Sequence, residues 1–292
     1  MKVDRRSLMK GLLAGGALLA MGVPPWTFAE SPARRPGQCL LLLGGAGADE
    51  AFASGAGTAS TRMAYDGLKI VKLKGGLLTD TDRAVMLLKQ SQGARCIAVM
   101  DDAGAVIFLE LARTAGVRLL SMGTHACSTD AACPLRHVSA STSPAYRVGG
   151  VLASQLLQRQ GSFSITESFL QEPPEESAWT SWSAPGFSSY RFIEAEAIHM
   201  HCSGLSLPDG GRLLDLETTK GWIPIPQQTC RRDSVTWRSE NWVESVGYAV
   251  TASALGLDSV RESCSERAFV HRSRHGEPIQ PMERFVSFVM DI

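Results

Sequence analysis

The chain has 292 residues, 44% of them hydrophobic, with 29 basic against 29 acidic side chains. That apolar fraction supports a packed core and argues against wholesale disorder; the balanced charge argues against a nucleic-acid binder. No apolar run reaches the roughly 18 residues of a membrane-spanning helix, which excludes a multi-pass membrane protein.

The first element in chain order is a leader. Met1 to Lys10 carry charge, Gly11 to Val23 are an apolar stretch of 13 residues, and Pro24-Pro25 end it. As a helix that stretch would reach only about 20 Å, short of the ~30 Å hydrocarbon core, so a stable membrane anchor is not expected. A cleaved export signal fits better, with Thr27-Phe28-Ala29 as the small-residue cleavage site and Glu30 as the first mature residue. Arg5-Arg6, then Ser7, then apolar Leu8 and Met9, then Lys10 resemble the twin-arginine (Tat) signal family, with Asp4 where Ser or Thr is usual and Leu8 where Phe is usual. The resemblance implies a bacterial protein that folds in the cytoplasm and passes folded through the Tat translocase, its first partner, to the periplasm. Cys39 follows Arg-Pro-Gly-Gln rather than the apolar stretch, so no lipoprotein anchor is expected. Residues 1–29 hold four basic and one acidic residue, which leaves 25 basic against 28 acidic in residues 30–292.

From Gln38 the pattern alternates. Gln38–Leu43 and Leu68–Leu73 are short apolar runs ended by Gly44-Gly45 and Gly75-Gly76. Thr79 offers a helix cap, and the helix after it stops at Gly93. Cys96–Met100 reads as a buried strand ended by Asp101-Asp102, and Ala105–Ala115 as a helix stopped by Gly116. Val117–Met122 reads as a strand ended by Gly123-Thr124-His125. Arg136–Ala140 is a weaker strand ended by Ser141-Thr142-Ser143, and a helix runs from Ala145 to Gln158. Strands alternating with helices predict βαβ units and a parallel sheet covered on both faces. The expected fold class is therefore α/β, a three-layer αβα Rossmann-like domain over residues 30–163.

Residues 164–292 read differently, as an α+β half. Five tryptophans, from Trp179 to Trp242, appear there, and eight of the 14 prolines follow residue 170. Its clear elements are a helix over Glu240–Leu255 capped by Ser239 and a terminal run, Arg284–Asp291, suited to a half-buried strand. The tryptophans read mainly as core and interface anchors, and alternatively as a stacking platform for a sugar or aromatic ligand.

In open parallel sheets ligands bind beyond the carboxyl ends of the strands. That rule nominates Gly44, Gly45, Asp101, Asp102, Thr124, His125, Ser141 and Ser143 as ligand-binding residues. Glycines there admit a ligand to backbone N–H groups, and Asp, Ser and Thr supply polar contacts. Each also has a structural reading, as a strand terminator or a helix cap. Gly45-x-Gly47 lacks the third glycine of a dinucleotide fingerprint, since Glu50 stands there. Ala94–Asp102, Ala112–Leu120 and Tyr146–Ala153 with Gly161 resemble one lobe of the type 1 periplasmic binding proteins. The resemblance implies a small ligand in a cleft, with Asp101, Asp102, Thr124 and Ser143 as contacts. Residues 164–292 do not repeat the βαβ units of a second lobe.

Seven cysteines leave at least one thiol unpaired, and in an oxidising periplasm a Cys127–Cys133 disulfide is expected across a polar loop. His125-x-Cys127-x5-Cys133 and His199-x-His201-Cys202 carry metal-ligand types, but neither spacing matches a zinc or copper signature, and no metal is expected. Gly-x-Ser-x-Gly, Ser-x-x-Lys and His-Glu-x-x-His are all absent. The leading expectation is a non-catalytic periplasmic protein that binds a small ligand or a partner protein. The alternative is an enzyme, either a hydrolase using Asp101, His125 and Ser141 or Ser143, or a redox protein using the His/Cys groups. The sequence names no cofactor.

Overall fold

The computed structural model describes residues 36–128, 134–143, 146–159, 161–170, 185–193, 198–225, 237–256, 264–273 and 284–292. In chain order the elements are β1 (Cys39–Leu43), α1 (Asp49–Arg62), β2 (Leu68–Lys72), α2 (Thr81–Gln90), β3 (Arg95–Met100), α3 (Asp102–Thr114), β4 (Arg118–Cys127), β5 (Leu135–Ser141), α4 (Gly149–Gln158), β6 (Phe163–Phe169), β7 (Ser188–Phe192), β8 (Ile198–Ser203), α5 (Leu207–Leu213), β9 (Trp222–Pro224), α6 (Trp242–Ala254), β10 (Glu266–His271) and β11 (Phe285–Asp291).

The fold is mixed α/β around one central sheet of 11 strands, ordered β2-β1-β3-β11-β4-β5-β6-β10-β8-β7-β9. The sheet is mixed rather than parallel throughout. β1 runs parallel to β2 and β3, β5 to β6, and β8 to β10. β11 runs antiparallel to both β3 and β4, and β4 antiparallel to β5. The terminal strand thus lies inside the sheet, fourth from the β2 edge, and is buried on both faces, not half-buried. Its all-apolar stretch, interrupted only by Ser287, suits that place. Strands from residues 30–163 and from residues 164–292 share this one sheet.

Alternation along the strands divides the core. Cys39, Leu41 and Leu43 pack with α1, α4 and α6, together with Phe285 and Val289. Leu40 and Leu42 pack with α2 and α3, together with Val286, Phe288 and Met290. α1 is one of the elements the sequence pattern passes over, because Asp49–Arg62 is mostly Ala, Gly, Ser and Thr and shows no apolar stripe. Small residues are what its contact needs. A Cβ on Gly55 would lie 2.0 Å from the Glu244 carbonyl oxygen, and one on Gly247 would lie 2.2 Å from that of Phe52. The two glycines let α1 and α6 touch backbone to backbone. α6 is capped by Asn241, whose Oδ1 accepts from the Glu244 N–H at 3.0 Å, two residues beyond the expected cap at Ser239. Among the described residues no helix is long and apolar enough to cross a membrane.

Candidate functional site

The edge formed by the carboxyl ends of β1 and β3 carries four of the nominated residues. The chain leaves β1 for β2 on one side and returns to β3 on the other, so β1 and β3 flank a topological switch point. Gly44 is required there by packing, since a Cβ would lie 2.5 Å from Met100 Cγ. Gly45 takes a φ of +90°, and a Cβ on it would lie 2.6 Å from Gly76 Cα. The two glycine turns are therefore pressed together. Gly45 N–H donates to Asp49 Oδ2 at 2.9 Å, and burial raises the Asp49 carboxyl above its ordinary range.

Asp101 caps α3, its Oδ1 accepting from Gly104 N–H at 2.6 Å. That satisfies one of the helix's orphan donors. Asp102 begins α3 and forms an ion pair with Arg284, Nε to Oδ2 3.1 Å, with side chains 48% and 35% exposed. Arg284 directly precedes β11, so the pair joins residues 182 positions apart. Sequence reasoning missed Arg284 because nothing local marks β11 as the neighbour of β3.

Of the other four nominated residues, Thr124 lies level with Met100 at the same edge, two strands away across β11, whereas His125, Ser141 and Ser143 do not join the group. β4 continues to Cys127, so Gly123-Thr124-His125 is strand, not loop. Gly123 does not stop it: a side chain there would meet His125 Nε2 at 2.8 Å and Ser287 Oγ at 3.2 Å. Thr124 pairs with Val138 and Val286 inside the sheet. Ser141 pairs with Ser121, which lies level with Val289 and Ile97. It thus sits about 13 Å down the strand direction from Asp101. β5 runs opposite to β3, so Ser141 and Ser143 lie toward the other end of the sheet. Ser141 Oγ donates to the Tyr146 carbonyl at 3.2 Å.

His125 turns into the core instead. Its Nε2 lies 2.8 Å from Ser287 Oγ and its Nδ1 3.0 Å from His137 Nδ1. All three residues are buried. A neutral His125 has one N–H, so it donates toward one neighbour and accepts from the other. Phe285 and Trp242 close the group, 5.0 Å from His125 and 5.7 Å from His137 between ring centroids. Burial holds both imidazoles below their ordinary range, with His137 pushed down to about 3. The group is a neutral polar chain across β11, β4 and β5. The signal for it was the 12-residue spacing of His125 and His137 about a hairpin connection.

A second buried polar group lies across β6 and β10. Arg267 Nε donates to Glu167 Oε2 at 2.5 Å, both side chains being 1% exposed. Glu167 Oε1 accepts from the N–H groups of Val148 and Gly149 at 2.7 Å each. The carboxylate thus sits at the N-terminus of α4, where the helix dipole favours it. Gly149 makes room, since a Cβ would lie 2.4 Å from Glu167 Oε2.

His199 and His201 share one face of β8, with centroids 6.4 Å apart. His201 Nδ1 is held 2.8 Å from Ser189 Oγ, and its ring stacks on Phe269. Cys202 points to the other face, against Gly210. Among the described residues no three His, Cys, Asp or Glu side chains are grouped to hold a metal. Cys133, and with it the expected Cys127–Cys133 disulfide, lies outside the described residues, as does the leader with Arg5, Arg6, Lys10 and Ala29.

No protein-family model, curated protein or solved structure matches the chain.

Proposed function

We propose that this chain is a Tat-exported periplasmic protein, without a catalytic centre of its own, that binds a small ligand or a partner protein at the carboxyl ends of β1 and β3. The Arg5-Arg6…Lys10 leader supports export. The observation that carries the binding reading is the half-exposed Asp102–Arg284 pair at the switch point. It offers one carboxylate and one guanidinium to solvent, a match for a small polar molecule bearing an amine and a carboxylate or several hydroxyls. Two helix layers, α1, α4 and α6 against one face and α2 and α3 against the other, support a three-layer, Rossmann-like reading of this part.

The hydrolase alternative is less well supported. His125 would be its general base, but both of its nitrogens are occupied within a buried group. Asp101 is a cap, and Ser141 lies toward the other end of the sheet. The metal-dependent alternative draws on His and Cys residues that, among those described, form no group of three.

Thermal unfolding against panels of amino acids, sugars and siderophore-type molecules tests binding. A ligand at about 100 times its Kd adds about 2.7 kcal/mol, and Asp102→Ala abolishes that gain. No stabilising ligand, or one indifferent to Asp102→Ala, would sink this site. For export, Arg5→Lys with Arg6→Lys leaves the precursor in the cytoplasm; unchanged export overturns the Tat assignment.

A further inference from the structure

We infer that the outer edge of β2 is the surface on which two copies of this chain join, their β2 strands running antiparallel about a two-fold axis at Ile70. β2 stands first in the strand order and pairs with β1 alone, so among the described residues no strand lies along its other side. The direction of its backbone groups follows from the ladder. Cys39 N–H donates to the Gly67 carbonyl at 3.2 Å, and Leu73 N–H to the Leu43 carbonyl at 2.9 Å. Within a strand the N–H and C=O of one residue point to the same side, and successive residues alternate. Gly67, Lys69, Val71 and Leu73 therefore face β1, while Leu68, Ile70 and Lys72 turn their N–H and C=O groups outward. Such an open row is a template for another strand.

The sequence around the row, Asp66-Gly-Leu-Lys-Ile-Val-Lys-Leu-Lys74, fits a second copy of itself. An antiparallel pair needs outward-facing residues opposite outward-facing residues. A two-fold at Ile70 sets Ile70 against its own copy and Leu68 against Lys72, and each of these pairs exchanges both backbone bonds. On the other face Lys69 stands against Val71. Ile70 is 50% exposed on the single chain, and the pairing covers it with its counterpart. Just beyond the strand ends Asp66 stands opposite Lys74, both exposed, which places opposite charges together at each end of the ladder. Lys74 N–H donates to Asp80 Oδ2 at 3.0 Å, which holds the backbone at that end. Lys72 has Glu50 of its own copy at 3.7 Å.

Neighbouring registers are worse. A two-fold at Lys69 or at Lys72 sets lysine directly against lysine, and one at Val71 sets Ile70 against Lys72 and leaves Asp66 with no lysine opposite. Edge lysines deter indiscriminate pairing; here they leave the Ile70 register open. Both copies use the same edge, so the assembly closes at two. Two short paired strands alone bury less than the roughly 1,200 Å² of a standard interface, so the dimer forms reversibly.

Sedimentation velocity of the folded chain, from about 1 to 300 µM, reads the association, since small interfaces give micromolar dissociation constants. The mass rises with concentration from one chain toward two. Ile70→Lys weakens the dimer about tenfold or more, because it sets like charges opposite each other at the two-fold. Ile70 is half-exposed, so the unfolding midpoint at low concentration stays near that of the parent. Asp66→Lys and Lys74→Asp each weaken association, and the two together restore it, because opposite charges again meet in the same register. A single chain at every concentration overturns the inference. So do growth beyond two chains, a dimer indifferent to Ile70→Lys, and a charge exchange that fails to restore pairing.

Discussion

His125 and His137 face each other across β4 and β5 with their Nδ1 atoms 3.0 Å apart in the core. Two imidazoles at that distance share one N–H, and burial disfavours a charge on either ring, so both are neutral in the folded protein at ordinary pH.

Acid sensitivity follows from that pairing. The folded values lie below the unfolded value near 6.5, with His137 at about 3. Their contribution to stability is therefore complete above about pH 6.5. It is lost as pH falls, by up to about 1.4 kcal/mol per pH unit for each histidine, until the folded value is reached. His201, also depressed chiefly by burial, adds in the same direction. Urea unfolding between pH 7.5 and 4.5 should show a steep decline, and the double change His125→Leu with His137→Leu should flatten it. A parent profile that is flat over this range would refute the neutral-pair reading.

Arg267→Met should cost about 3–5 kcal/mol, because it strands the Glu167 carboxylate in the core. Adding Glu167→Met should recover only part of that loss. The Val148 and Gly149 N–H groups then lose their acceptor at the start of α4. Full recovery in the double variant would show that Glu167 serves the ion pair alone.

Gly55 and Gly57, two residues apart on α1, should respond oppositely to alanine. At Gly55 the new methyl meets the Glu244 carbonyl and forces α1 and α6 apart, at a cost of about 1–3 kcal/mol or more. At Gly57 nothing lies within 4 Å of the new methyl, so the better helix propensity should stabilise by about 0.5–1 kcal/mol. Thermal midpoints of the two variants measure both signs.

A chain ended after Arg284 should fail to fold cooperatively, since β3 and β4 meet only through β11. Far-ultraviolet circular dichroism during urea titration would show no sharp transition. A cooperative transition at the parent's midpoint would mean that the two flanks of the sheet fold independently.

Much of the local structure could be read in the chain. β1, β3 and β11 are short apolar runs, and glycine or aspartate marks the ends of β1 and β3. α3 and α6 carry their own caps in Asp101 and Asn241. α1 escaped notice because its contact uses small residues, which leave no apolar periodicity. Gly123 misled because a glycine inside a strand looks the same in sequence as one that ends it.

The candidate site was half legible. Gly44, Gly45, Asp101 and Asp102 gather at one edge because each follows a parallel strand or begins the helix after it. Ser141 and Ser143 were misplaced because nothing local reveals that β5 runs against β4. Arg284, Ser287, Glu167 and Arg267 were invisible for a related reason: their partners lie 100 to 182 residues away.

Composition and charge, then, bound the class of molecule, and hydrophobic period and caps placed many of its elements, because those signals act within a few residues. Strand order, strand direction and the pairing of buried polar groups came only with the tertiary structure. They depend on which distant segments satisfy each other's hydrogen bonds and volumes, and here the last strand of the chain takes an interior place between β3 and β4.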